Sequence, residues 1–457
     1  MQTRLVKLLT LSISALTLSA CVIVTPDINV QHDLDTHIFT KSESTPKNII
    51  MIVADGMGPA YTTAYRYYAD DPNTPEIDAT IFDQWHVGNS STYPASVSGV
   101  VTDSAASATA LASGIKSYNG AIGMDVNKQP VTTVLHRAKA KGMKTGLAVT
   151  SQIVHATPAA YVAHNESRQN YNAIADSFFD DRINGEHKVD VMLGGGTDYF
   201  IRDDRDIRQL FVDQGYQYID SYAQLSSLTN DAGALGLFAP VGLPWALDDI
   251  DPSRLRTMAQ TATRILENNQ GYFLLLEASQ VDWAGHGRDI NSAMAEMQDL
   301  HLMLEWLVEY QAQHPDTLVV LTADHSTGGL TLAANGEYRW EPASLHAITT
   351  SVTAMIKHLV NSADEPTKRL AYIKAQLGFE LTQADQDAVL AMDMNAKSRS
   401  LEDVIKRIID RKTNTGWTTW GHTAVDVQVF AVGPGAERFA GHQDNTDIAK
   451  RIFELLD

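Results

Sequence analysis

The chain reads as an α/β protein. Three features say so: short apolar runs of strand length, segments of helical period between them, and polar, chemically capable residues directly after several of the runs. The first run, Asn48-Ile-Ile-Met-Ile-Val-Ala54, ends at Asp55-Gly-Met-Gly58. Further runs are Lys144 to Thr150, Val189 to Leu193, Tyr272 to Leu276, Thr317 to Thr322 and Val425 to Val432. Among the helical segments, Val101-Thr-Asp-Ser104-Ala-Ala-Ser-Ala-Thr-Ala110 places Ser104 at the start of an Ala-rich helix, because Ala is the best helix former. Ser292 to Tyr310 sets Met297, Leu300, Leu304 and Leu307 at helical spacing, and Asp447 to Leu456 reads as a closing helix. Residues 333 to 415 break the rhythm. They hold polar helix-like stretches (Ile348 to Ser362, Lys368 to Leu377, Thr382 to Met392, Ser400 to Arg411) and few strand runs, as an inserted helical segment would.

At 457 residues with 44% hydrophobic content, the chain is long enough for a large core. Its 35 Lys+Arg against 55 Asp+Glu give a net charge of −20, which argues against a nucleic-acid-binding surface. A phosphate substrate remains compatible with that charge, provided local cations or metal ions outweigh the mean field.

Residues 1–20 read as a signal peptide: Arg4 and Lys7 precede an apolar stretch from Leu8 to Ala20 that is short for a membrane span. The stretch ends at Leu18-Ser-Ala-Cys21, which resembles a bacterial lipobox with Cys21 as the lipidated residue. Cys21 is the sole cysteine, so no intramolecular disulfide can form. Residues 21–47 are expected to be a lipidated tether and 48–457 the catalytic domain. The expected location is the periplasm, with Val22 after the cysteine favouring the outer membrane by resemblance.

The residues at the ends of the runs carry the chemistry. In open α/β sheets, ligands bind outside the carboxyl ends of the strands. Asp55, Glu277 and Asp324-His325 all follow strand runs, so they should converge on one rim. Asp282-Trp-Ala-Gly-His286 has the i, i+4 spacing that puts both side chains on one helix face. Gly421-His422-Thr423 adds an imidazole ahead of a strand. Imidazoles and carboxylates without thiolate suit zinc, and two ions roughly 4 Å apart would clamp an in-line displacement. Ser104, at a helix start, sits where partial positive charge and free N–H groups suit an anion. No His–Asp relay is evident as its partner.

Taken together, Asp55-Gly-Met-Gly, Thr102-Asp-Ser104-Ala-Ala-Ser, His155-Ala-Thr157-Pro-Ala-Ala, Glu277 with Asp282 and His286, Thr322-Ala-Asp324-His325-Ser-Thr-Gly-Gly and Gly421-His422-Thr resemble the alkaline phosphatase family in content and order, over roughly residues 48 to 440. The resemblance implies a three-layer sandwich with a large, mostly parallel central sheet and a helical insertion. It implies a phosphate monoester hydrolase of broad substrate range acting through a phosphoserine at Ser104, and a homodimer. By the same resemblance, Asp282, His286 and His422 would hold one zinc, and Asp324, His325, Asp55 and Ser104 a second. Asp55, Thr157 and Glu277 would hold a third ion, usually magnesium. Arg168, in Ala163-His-Asn-Glu-Ser-Arg168, matches the arginine that grips phosphate. Without the family, a turn is the favoured reading of Thr157 before Pro158, and a surface ion pair that of Arg168.

Two positions depart from the best-known bacterial pattern. His155 stands in place of an Asp and Trp283 in place of a Lys, which puts the third ion and the phosphate affinity in question. Both are expected to lie on the substrate side. The alternatives are a phosphodiesterase of the same superfamily and a metal-dependent phosphate-binding lipoprotein. A sulfatase is disfavoured, since Ser104 is followed by Ala-Ala-Ser rather than by the Pro and Arg of that pattern.

Overall fold

The computed structural model of the protein describes residues 45–362 and 365–457. The signal segment, Cys21 and most of the tether fall outside the described residues. Ten strands form one sheet, numbered here in chain order: β1 Asn48–Val53, β2 His86–Ser91, β3 Lys144–Gln152, β4 Val191–Gly195, β5 Gln217–Ile219, β6 Ala234–Leu237, β7 Tyr272–Glu277, β8 Thr317–Thr322, β9 Val427–Val432 and β10 Gly441–Asp444. Across the sheet they run β10-β2-β9-β8-β1-β7-β3-β4-β6-β5. Every neighbouring pair is parallel except the two that involve β9, which runs against both β8 and β2.

The sheet is covered on both faces, and alternate residues of the central strands feed two separate cores. Ile50 and Ile52 of β1, Leu274 and Leu276 of β7, and Val319 and Leu321 of β8 join one core with the helices Arg254–Leu266 and Ile290–Gln313. Ile49, Met51, Val53, Phe273, Leu275, Leu318 and Val320 join the other, with the helices Ser104–Ser113, Val134–Ala140 and Asn445–Leu456. Strands buried on both faces must be apolar throughout rather than alternating, which is why β1, β7 and β8 read so clearly in the sequence. Each fully buried Leu or Ile contributes about 1.5–3 kcal/mol, so these rows hold the three layers together.

Four strands escape the sequence reading. β2 is His86-Val-Gly-Asn-Ser-Ser91 and β10 is Gly441-His-Gln-Asp444, polar segments near one edge. β5 and β6 have three and four residues near the other edge. Their pairing is set by non-local partners, not by their own period. Boundaries of three other strands shift by two residues: β3 runs on to Gln152, β4 spans Val191–Gly195, and β9 begins at Val427.

Residues 333–414 lie between the two strands of a small antiparallel ribbon, Leu330–Leu332 paired with Thr415–Trp417. Inside are a short 3₁₀ turn, Pro342–Ala347, and the helices Val352–Ser362, Pro366–Leu377, Gln383–Leu390 and Ser398–Thr413. Their buried residues, including Met355, Ile373, Leu377, Leu401 and Ile405, belong to the same core as Ile50 and Leu276. This segment therefore has no separate apolar centre of its own.

Gly195 ends β4 where another backbone crosses it. A Cβ there would lie 1.7 Å from the carbonyl oxygen of Val241. Backbone cannot yield as a side chain can, so Gly195→Ala is expected to cost about 2–3 kcal/mol. A thermal melt of the variant, read against the parent, checks this.

Candidate metal centre and its serine

The middle of the sheet, β8-β1-β7, sends three carboxylates to one rim. Val53 of β1 pairs with Thr322 of β8 and with Glu277 of β7, so Asp55, Asp324 and Glu277 leave the strands at nearly one level. This is the crevice at strand carboxyl ends that the sequence indicates. The helix Gln280–Gly287 follows and carries Asp282 and His286 on one face, with His286 Nε2 3.5 Å from Asp282 Oδ2. Gly56 turns the chain beneath that helix at φ +78°, and a Cβ there would lie 2.6 Å from the Asp282 Cα. Any other residue at 56 would push the carboxylates of Asp55 and Asp282 apart. His422 arrives on a two-residue ribbon paired with Ser326–Thr327, beside His325.

Three imidazoles present the same nitrogen inward. A carbonyl can only accept, so Nδ1–H of His286 donates to Trp420 O (2.5 Å) and Nδ1–H of His422 donates to Thr102 O (2.8 Å). Thr327 Oγ1 donates its proton to Asp282 Oδ1 (2.5 Å) and accepts from Nδ1–H of His325 (3.2 Å). In the neutral rings this leaves Nε2 of all three as bare lone pairs. Those of His286 and His422 lie only 3.1 Å apart. That of His325 faces Asp324 Oδ2 at 3.1 Å, Asp55 Oδ1 at 3.5 Å and Ser104 Oγ at 3.2 Å. Lone pairs held together in this way repel unless a cation or a proton lies among them. Fixing Nδ1 by a second group is also how metal-ligating histidines are oriented.

The oxygens tell the same story. Asp55 Oδ1 and Oδ2, Asp324 Oδ2, Glu277 Oε1, Thr157 Oγ1 and His155 Nδ1 are buried without a hydrogen-bond partner among the described residues. Buried polar atoms are partnered in the great majority of cases, so the five orphaned oxygens at this rim mark positions for cations; His155 Nδ1 is a proton-bearing nitrogen beside them, since its Nε2 accepts from Arg168. Three groups have ligand atoms within 4.8 Å of one another: Asp282, His325 and His422; Asp55, Asp324 and His325; Asp55, His155 and Glu277. The donors fit divalent metal ions, and the absence of thiolate among them suits zinc or magnesium over copper(I) or iron–sulfur clusters. His155, read from the sequence as a substrate-side residue that weakens the third site, stands within the third of these groups.

Without such ions Asp55 and Glu277 are driven to hold protons. Burial, then the carboxylates of Asp324, Asp282 and Glu277, raise Asp55 well above the usual range. Burial raises Glu277 to about 7, against the hydroxyls of Ser279 and Ser151, which donate to its Oε2 at 2.6 and 3.1 Å. Burial alone would also raise Asp324, but the neighbouring His325 holds it below its ordinary value; burial disfavours a charge on His325, and Asp324 more than restores it, so its pKa rises. Burial, then the charge of Arg168, lowers His155 to about 3, so that ring is neutral.

Ser104 is the first residue of the helix Ser104–Ser113, whose every residue is buried. Asp103 caps the helix by accepting from Ala106 N at 2.9 Å, and Ser107 Oγ donates to Asp324 O at 2.7 Å, tying the helix to the rim. Although Ser104 Oγ touches His325, this is no Ser–His–Asp relay. A relay needs the carboxylate on the opposite ring nitrogen from the serine, whereas Asp324 and Ser104 share Nε2 and Thr327 occupies Nδ1. Arg168 reaches in with Nη1 on Asp103 Oδ2 (3.1 Å) and Nη2 donating to His155 Nε2 (3.2 Å). Trp283 stands edge-on to His155, ring centres 5.9 Å apart.

Every site residue expected from the sequence within the described range is thus near this rim. The sequence reading left out Asp103, Thr327, Ser151 and Ser279, which hold Arg168, His325 and Glu277 in place. Asp103 carries a signal, as an acid directly before an Ala-rich helix. The hydroxyls carry none, because Ser and Thr near a motif usually serve turns.

Comparison with known proteins agrees with this geometry. The family model for alkaline phosphatase matches residues 46–457. Alkaline phosphatase 3 of Bacillus subtilis (strain 168) is 43% identical over 412 residues, covering 90% of this chain and 89% of its own length. The crystal structure of the cold-active alkaline phosphatase from the psychrophile Shewanella sp. is 50% identical with a TM-score of 0.84, covering 90% of this chain and all of its own. An alkaline phosphatase variant from the Antarctic bacterium TAB5, with a histidine replaced by aspartate and Mg bound in its M3 site, is 25% identical with a TM-score of 0.67, covering 90% of this chain and 98% of its own. With the family model spanning nearly all of the described residues, the chain belongs to the alkaline phosphatase family.

Proposed function

We propose that this alkaline phosphatase hydrolyses phosphate monoesters through a phosphoserine at Ser104, with two zinc ions and a third ion, magnesium or zinc, at the rim. The observation that carries the reading is the set of orphaned oxygens and bare Nε2 atoms gathered around Ser104 Oγ. Asp282, His286 and His422 would hold the first ion, and Asp55, Asp324, His325 and Ser104 the second. Asp55, Thr157 and Glu277 would hold the third, with His155 beside them. When bound, such ions supply positive charge that favours the deprotonated serine and water and neutralises phosphoryl oxygens.

The chain's own groups do the rest. The Arg168 guanidinium offers a planar fork to two phosphate oxygens, and Asp103 sets its angle. The N-terminus of the Ser104–Ser113 helix faces the same anion. Ser104 Oγ forms a bond to phosphorus as the ester P–O bond opposite it breaks, and the ester oxygen leaves as the alcohol. Water then attacks the seryl phosphate, freeing orthophosphate and restoring the hydroxyl. Charge spreads over the equatorial oxygens, so positioning and electrostatics dominate. The grip is on the phosphoryl group, which supports broad substrate tolerance. Arg168, poised for a terminal phosphate, favours monoesters over diesters. Lipid attachment at Cys21, a periplasmic outer-membrane location and a homodimer belong to the same proposal; they rest on the sequence of the first residues and on the family resemblance.

Hydrolysis of a chromogenic phosphate monoester at mildly alkaline pH, with and without chelator, tests the reading. Activity should vanish with the metals and return on adding zinc. Activity that survives exhaustive zinc removal overturns it. Ser104→Ala should abolish the covalent phosphoenzyme and lower kcat by at least about a thousandfold.

The metal-free protein should show an inverse pH dependence of stability. Glu277 and Asp55 titrate higher in the fold than unfolded, so between the two values the native state binds the extra protons. The Glu277 contribution is complete below about pH 4.5 and is lost as pH rises to about 7, on the order of 3 kcal/mol, and Asp55 acts in the same direction. Melting temperatures in chelator should fall over that window, while the metal-loaded protein should not follow. His155→Asp adds a hard, charged oxygen beside Asp55 and Glu277, where a neutral ring now stands. Magnesium should then bind roughly tenfold more tightly, as read by titration calorimetry on the zinc-loaded protein.

A further inference from the structure

His286 has a second aspect. Its side chain is 40% exposed and forms part of the wall of a groove of about 460 Å³. The chain has seven tryptophans, and three of them, Trp245, Trp283 and Trp420, line this groove. Trp283 shares the helix of Asp282 and His286, and Trp420 accepts the His286 Nδ1–H on its backbone oxygen. The groove is therefore built directly onto the centre.

Its charge is also distinctive. Trp420, 36% exposed, carries two guanidinium groups over its ring, Arg288 at 3.8 Å and Arg399 at 4.4 Å from the centroid. Among the described residues neither arginine has a carboxylate at ion-pair distance, whereas Lys406 in the same wall is neutralised by Glu402 at 2.9 Å. Arg288 faces the neighbouring cavity with Asp403 and Asp410, so in a chain of net charge −20 it is Arg399 that sets a local positive field in the groove itself. Arg399 and Lys406 come from the helix Ser398–Thr413, so the segment 333–415 supplies one wall.

The geometry points to a leaving-group subsite: the groove favours phosphate esters and anhydrides whose departing group combines a planar ring with a further negative charge. This rests on the phosphatase reading above. The Trp420 ring is already capped by guanidinium groups, so stacking on a planar ring falls to Trp245 and Trp283, and arginine pairs with an anion through a fixed fork of donors. A small neutral alcohol would use neither. Adenosine 5′-diphosphate presents both features: water adds across its terminal P–O bond, giving orthophosphate and the nucleoside monophosphate, and the departing part carries ring and charge.

The test uses the full, metal-loaded protein and four probes: adenosine 5′-diphosphate, with ring and charge; phenyl phosphate, with ring alone; pyrophosphate, with charge alone; and ethyl phosphate, with neither. kcat/KM is measured for the parent, Arg399→Ala, Arg399→Glu and Trp245→Ala. Taking each variant-to-parent ratio cancels the intrinsic reactivity of each leaving group. Relative to ethyl phosphate, the adenosine diphosphate ratio should fall about threefold in Arg399→Ala and about tenfold in Arg399→Glu. Pyrophosphate should follow the arginine variants only, and phenyl phosphate Trp245→Ala only. Arg399 is exposed, so its variants should fold. Ratios that agree within about twofold across all four probes overturn the subsite and leave the phosphatase reading standing. Failure of the parent to hydrolyse any of the four overturns the phosphatase reading itself.

Discussion

Four carboxylates, Asp55, Glu277, Asp282 and Asp324, are buried in one small volume at the edge of the sheet. Their mutual repulsion is the constraint on which the rest of the centre depends. Left alone, Asp55 and Glu277 are driven to hold protons, and the fold keeps the four from parting: β1, β7 and β8 fix three of them in register, and Gly56 fixes the fourth against the turn below it. Positive charge is therefore required rather than merely accommodated. His286, His325 and His422 answer the same requirement, since each has its Nδ1 satisfied elsewhere and turns only Nε2 inward. Ser104 inherits its chemistry from this arrangement. It has no general base of its own, and it lies where any charge recruited to settle the carboxylates also acts on its hydroxyl.

How much of this was legible in the sequence follows from locality. Central strands buried on both faces are written as unbroken apolar runs, and a charged residue at the end of such a run is conspicuous; Asp55, Glu277 and Asp324 were readable for that reason. β2 and β10 were not, because His86-Val-Gly-Asn-Ser-Ser91 and Gly441-His-Gln-Asp444 become strands only by pairing across more than three hundred residues, β10 with β2 and β2 also with β9. The same holds for the supports of the site. Thr327 looks like any threonine in a Gly-rich turn until its hydroxyl is seen joining Asp282 to His325. The place of His155 was half legible: its departure from the better-known pattern was visible, but that its ring stands between Arg168 on one nitrogen and the Asp55–Glu277 pair on the other needed coordinates.

That double position gives His155 a part in both halves of the site. Nε2 accepts from the arginine assigned to phosphate, while Nδ1 lies 4.0 Å from Asp55 Oδ2. A ring cannot accept at one nitrogen and also offer a bare lone pair at the other while neutral. The phosphate grip and the third ion are thus linked through one imidazole, a link that a carboxylate at this position would not make in the same way.

The reversed strand β9 has a topological consequence. Its first residues pair near the end of β8, with Val429 beside Thr322, so the two strands are the arms of a hairpin whose connection is residues 323–426. In a wholly parallel sheet only residues that follow a strand reach the functional edge. Here a residue that precedes one, His422, reaches it as well, and faces His325 from the other arm. The ribbon of Leu330–Leu332 with Thr415–Trp417 closes the connection just above this pair. The helices beyond that ribbon therefore hang on a connection whose two ends are held by the sheet, and they wall the substrate side while the two histidines are placed by β8 and β9.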